Sequence, residues 1–274
     1  MRKLIFCLSL TSGLVQAAPA IESESVVLQP SANHAFQEFD NQFYLGFGTS
    51  YGNLTNGYGQ NSNYGTTLIG LGVERLFDIG LWARMDATLM AGYSNFNSSN
   101  ANAVTGPLGQ DPSVSGLNLK VGYAFPLIKD QLLLTPYALA GRNTNLTSNS
   151  LNNNQTTSGG VNNLATNVTQ DYFLSAGVGG RLEYRLDKTF DFYFDQAAVY
   201  NSDRSGPTSS YTSATNYQLV STLGARFNVW ESLQLGVLGF YNYSQLSGAP
   251  SAAQQYQLYP ANQVGGMATI GLTY

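Results

Sequence analysis

Charge is scarce in this chain of 274 residues. Asp, Glu, Lys and Arg make up 10% of it, against roughly 25% in ordinary soluble domains. Polarity comes from Asn, Ser, Thr and Gln instead, a poor surface for a protein surrounded by water. Cysteine occurs once, at Cys7, and histidine once, at His34. A lone cysteine closes no intramolecular disulfide, and no His or Cys cluster exists to hold zinc. Apolar runs long enough to cross a bilayer as a helix, about 18 residues, are absent past the N-terminus. That absence excludes a transmembrane helix but not a membrane barrel, whose strands are apolar only at every second position. A formal charge of -4 without a basic patch argues against nucleic acid. The glycine-rich "GVGG" at 177–180 lacks a phosphate-loop lysine.

Glycine and aromatics are abundant: 29 Gly, 18 Tyr and 14 Phe favour strands and turns. At the N-terminus, Arg2 and Lys3 precede the apolar "LIFCLSL" and a small-residue end at "VQA", which reads as a secretory signal over 1–17, cleaved after Ala17. Cleavage removes Cys7 and two of the 12 basic residues, leaving 16 acidic residues and a formal charge of about minus 6. Residues 18–41 lack strand alternation and are expected to form a flexible periplasmic segment.

Over 42–274, period-2 alternation gives ten segments, near 43–51, 64–76, 81–94, 114–125, 132–142, 170–186, 190–201, 216–229, 233–244 and 263–274. Their connections alternate between short ones ("FDIG", "PLIKDQ", "DKT" and 230–232) and long ones such as the low-complexity 143–169. One face collects Phe43, Leu45, Phe47, Met85, Leu119, Leu223 and Ile270. The other collects small residues with Glu74, Arg84, Asp86, Lys120, Arg142, Asp171, Arg181, Glu183, Arg185, Asp191, Asp195 and Arg226. Aromatics gather at both strand ends, with Tyr51, Tyr93, Tyr172, Tyr200, Tyr217 and Tyr241 near the long connections and Phe125, Tyr184, Phe190 and Tyr274 near the short ones. Two belts suit two membrane interfaces, which places the apolar face in lipid and the charged face in a lumen. The pattern predicts an all-β, antiparallel transmembrane barrel of about ten strands, with long extracellular loops and short periplasmic turns.

With its signal peptide, amphipathic segments, long polar loops and closing strand "ATIGLTY", the chain resembles a bacterial outer-membrane β-barrel of the broad OmpA-like, opacity-like or small porin group. The resemblance implies a multi-pass place in the outer membrane, contact with its lipids and lipopolysaccharide, delivery by periplasmic chaperones and the barrel-assembly machinery, and Tyr274 as the assembly signal. It allows a homo-oligomer.

Catalysis is not expected, because the barrel enzymes rely on a histidine at the loop rim and His34 lies before the first strand. No cofactor and no metal are implied. Glu74, Arg84, Asp86, Lys120, Arg181, Glu183, Arg185, Asp191, Asp195 and Arg226 fall in the short-turn half, five of each sign, and are expected to form a lumen charge network. Trp82, Phe173, Tyr193 and Phe240 are expected to point inward with them. Eight strands make a barrel just filled by side chains and 16 to 18 leave an open pore, so about ten gives a narrow porin-like channel for small hydrophilic solutes or ions. A closed structural barrel, acting through its loops as an adhesin or host-contact protein, is the alternative.

Overall fold

A computed structural model describes residues 34–55, 61–96, 113–149, 167–204, 215–247 and 257–274. A helix of seven residues, α1 (His34–Asp40), leads into β1 (Gln42–Thr55), β2 (Asn61–Leu76), β3 (Leu81–Phe96), β4 (Ser113–Tyr123), β5 (Phe125–Ile128) and β6 (Leu132–Asn149). The strands β7 (Asn167–Arg185), β8 (Phe190–Arg204), β9 (Thr215–Trp230), β10 (Leu233–Ser247) and β11 (Gln257–Thr273) follow. They hydrogen-bond in the order β4-β3-β2-β1-β11-β10-β9-β8-β7-β6-β5, and a β4–β6 pairing closes the ring. Both β4 and β5 lie on β6, with a break at Ala124, so they form one stave. The result is a closed antiparallel barrel of ten staves, a form in which no strand edge is left unpaired.

Local chemistry sets the turns. The Asp187 carboxylate accepts the backbone N–H of Thr189 (2.6 Å) and of Phe190 (2.7 Å), pinning the β7–β8 hairpin. Centred there, the hairpin sets Arg185 opposite Asp191 and Arg181 opposite Asp195, the register that the charge pattern predicts. The turn after β5 is shorter than the pattern predicts. Residues 125–128 stay in the sheet, and Asp130, at φ 61°, makes the reversal in the left-handed region that Asp tolerates.

Neighbouring side chains on one strand separate inside from outside: Leu174 is 46% exposed and Ser175 4%. Outward aromatics ring both ends, Tyr51, Tyr200, Tyr217 and Tyr241 on the loop side and Phe125, Tyr184, Phe190, Trp230 and Tyr274 on the turn side. The side chains of Tyr93, Asp171, Tyr172 and Phe173 lie outside the described residues, as do residues 1–33, with the predicted signal.

Three further features depart from the pattern. Residues 34–40, within the segment expected to be flexible, form α1, with Phe36, Phe39 and Asp40 buried. Arg142 is exposed and pairs in register with the outward Leu117 and Leu174, so it belongs to the outer face and not to the lumen set. The run Leu132, Leu133, Leu134 gives no phase from which its side could be read. Finally, the ladders run past the predicted strands: β6 and β7 pair out to Asn149 and Asn167, and Ser148 and Asn149 pair with Leu258 and Gln257 of β11. Since β6 and β11 stand five staves apart in a ring of ten, this pairing bridges the loop-side mouth.

Candidate functional site: a charged constriction in the lumen

The inward face of β7 rises from the turn side as Arg185, Glu183 and Arg181, level with Asp191, Tyr193 and Asp195 of β8 and with Arg226, Gly224 and Thr222 of β9. Glycine gives the large side chains room. The Tyr193 ring fills the space beside Gly224, Tyr137 that beside Gly179 and Tyr44 that beside Gly72. Arg181 lies over Tyr193, 4.4 Å from its centroid, and Arg226 lies 5.3 Å from it, so one ring supports two guanidiniums.

Arg226 is the hub. It pairs with Asp191, with Glu183 at 2.6 Å, with Asp40 of α1 at 2.9 Å and more distantly with Glu74 at 3.8 Å. Arg181 pairs with Glu74, with Glu183 at 2.8 Å and with Asp40 at 3.2 Å. Glu74 also accepts the Trp82 indole N–H at 2.8 Å and meets Arg84 at 3.3 Å, and Arg84 holds Asp86 at 2.9 Å. Beside this group, Lys120 pairs with Asp195 at 2.7 Å, and Tyr137 donates to the same carboxylate. Arg185 turns to Glu38 of α1, at 3.2 Å.

All ten predicted network residues thus face the lumen; Arg226 with Asp191 and Arg84 with Glu74 pair across neighbouring strands, but the two arginines of β7 do not take the acids opposite them. Arg185 sits opposite Asp191 yet pairs with Glu38, and Arg181 sits opposite Asp195 yet pairs across the lumen with Glu74. Strand parity reveals the face; it says nothing of which guanidinium reaches across the barrel. Parity also missed Asp40 and Glu38, for which the one available signal was the i, i+3 spacing of Phe36 and Phe39 in "HAFQEFD".

The interior is less polar than the alternation suggests. Leu133, Leu139, Ala197 and Val199 form one buried cluster with Trp82, Tyr137 and, from α1, Phe36. Nearer the loops the chemistry turns neutral. Ser50 contacts Thr66 at 2.7 Å and accepts from Gln263 at 2.8 Å, and Ser175 donates to Asn201. His34 sits on the turn side, its Nδ1 2.7 Å from Gln37 Oε1. Tyr274, predicted as the assembly signal, is exposed at the turn-side rim, and its backbone N–H donates to the Asn41 carbonyl at 3.1 Å.

A closed ring with an apolar, aromatic-belted exterior and ion pairs sealed inside is built for lipid. The chain has the fold of a transmembrane β-barrel. No protein-family model matches this barrel, and no curated protein does. Solved structures with a similar fold include the outer membrane protease OmpT of Escherichia coli (10% identity, 86% of this chain and 98% of that one, TM-score 0.41). Others are the β-domain of the Bordetella autotransporter BrkA (8%, 86% and 100%, TM-score 0.47) and an outer membrane channel from Pseudomonas putida (12%, 85% and 96%, TM-score 0.43). At these identities the likeness is one of fold.

Proposed function

We propose that this outer-membrane barrel is a narrow channel for small hydrophilic solutes or ions, with the charge network as its constriction. The carrying observation is the set of five basic and five acidic barrel side chains that face the lumen in its turn-side half. A barrel that only displayed loops could fill its lumen with apolar side chains, and replacing a buried ion pair that way is often neutral or stabilising. Catalysis forms no part of this reading, since the single histidine lies on the turn side with Gln37 as its partner. Lipopolysaccharide and outer-membrane lipids would surround the barrel, and Tyr274 would present its last strand to the assembly machinery.

Planar-bilayer currents test the reading. Arg181→Ala with Arg226→Ala leaves Glu183, Asp191 and Asp40 without a guanidinium, so the variant should conduct more than the parent and prefer cations, as rings of acids do. Arg84→Ala, nearer the edge of the network, should shift currents the same way by less. Equal and negligible currents in all three proteins, each folded by circular dichroism, would overturn the channel reading in favour of a closed barrel that acts through its loops. One observation favours that second reading: Trp82, Glu74, Arg181 and Asp191 are at most 1% exposed, so side chains pack the base of the lumen closely.

A further inference from the structure

We propose that α1 is a proton-controlled stopper, seated in the periplasmic end of the lumen when Asp40 is protonated and released when Asp40 is ionised. Its effect on transport rests on the channel reading above; its seating does not.

The seat is specific. Phe36 and Phe39 are fully buried, Phe36 within the cluster that includes Trp82, and Arg226 donates to the Phe39 carbonyl at 3.0 Å. Gln37 donates to the Leu76 carbonyl at 3.2 Å and to Asp78 at 2.8 Å. Both carboxylates of the helix reach barrel arginines, Asp40 on Arg181 and Arg226, Glu38 on Arg185.

Charge makes the seat conditional. Among the described residues, the barrel's charges in the turn-side half of the lumen balance at five acids and five bases, so the two helix carboxylates arrive there as an excess. Glu38 is half exposed, at 52%. Asp40 is 1% exposed, and its Oδ2 is buried without a hydrogen-bond partner among the described residues. It shares its two guanidiniums with Glu74 of β2 and Glu183 of β7, while Asp191 of β8 occupies Arg226 as well. Arg84 of β3 is turned to Glu74 and Asp86. At the rim around the helix, Lys188 of the β7–β8 turn and Glu231 of the β9–β10 turn line the same groove as His34 and Glu38.

Burial, reinforced by the Glu183 and Glu74 carboxylates, pushes the Asp40 pKa well above the ordinary range; Arg181 and Arg226 pull the other way. A seated pKa above the released one means that seating takes up a proton. Its stabilisation is full below the ordinary carboxylate range, near about 4, and is lost as pH climbs through the seated value.

Two readouts separate the stopper from the channel. Trp230→Phe leaves Trp82 as the single tryptophan, and release of Phe36 should wet it. Between about pH 5 and about pH 8, acrylamide quenching of Trp82 should rise clearly and bilayer conductance should rise about tenfold. Asp40→Asn, which keeps the shape without the charge, should hold both at their low-pH values. Flat quenching in the parent, or an equal rise in Asp40→Asn, overturns the stopper, and a steady current alongside flat quenching leaves the channel reading standing. Quenching that rises without any current at either pH keeps the stopper and overturns the channel.

Discussion

Tyr193 shows how single residues share a crowded interior. Its ring supports Arg181 and Arg226 because Gly224, on the next stave, leaves it a place to lie. A methyl group at 224 would occupy the ring's position, so Gly224→Ala should cost about 1 to 3 kcal/mol, the range for overpacking. Gly180, whose side chain would have nothing within 4 Å, is the control. Gly180→Ala should stay within about 0.5 kcal/mol, and urea midpoints of both variants in detergent should differ accordingly. No sequence pattern distinguishes these two glycines, because what does so is a tyrosine that lies 31 positions away for one of them.

At the scale of the element, the β7–β8 hairpin depends on one carboxylate that receives two backbone N–H groups. Asp187→Ala should lower stability by about 1 kcal/mol, and Asp187→Asn, which keeps an accepting oxygen, by less; urea titration of the refolded barrel would measure both. This hairpin was legible in advance, since only one centring sets both arginines of β7 opposite acids, Arg185 with Asp191 and Arg181 with Asp195. The phase of β6 was not, because three consecutive leucines suit either face until neighbouring staves decide, and Arg142 was therefore placed on the wrong side. The helix α1 was illegible for a different reason. Seven residues carry too few turns for a helical period, and what orders them is a seat built from distant strands that buries Phe36 and Phe39.

For the whole molecule, ten staves, their order and their inside and outside follow from period-2 alternation, because a barrel uses the same rule on every strand. Alternation also puts the ten barrel charges on one face, but it gives neither Asp40 and Glu38 of α1 nor the reach of Arg181 to Glu74, since a guanidinium crossing a lumen ignores sequence neighbourhood. Nor did alternation foresee that β6 reaches β11 over the mouth. If that pairing forms in the membrane, Ser148→Cys with Leu258→Cys, in a background without Cys7, should close a disulfide under mild oxidation and shift the band on a gel. Absence of the shift, with the barrel folded, would remove the bridge.

A hoop resists stretching but flattens easily, and a hydrogen-bonded barrel is a hoop. Tied between staves half a circumference apart, this one carries a spoke at its outer end. Squeezing it oval along the tie would buckle those bonds, and squeezing it across would stretch them. The tied rim should therefore keep its shape when the surrounding bilayer is thinned or compressed, while the opposite rim relies for its shape on what sits inside it.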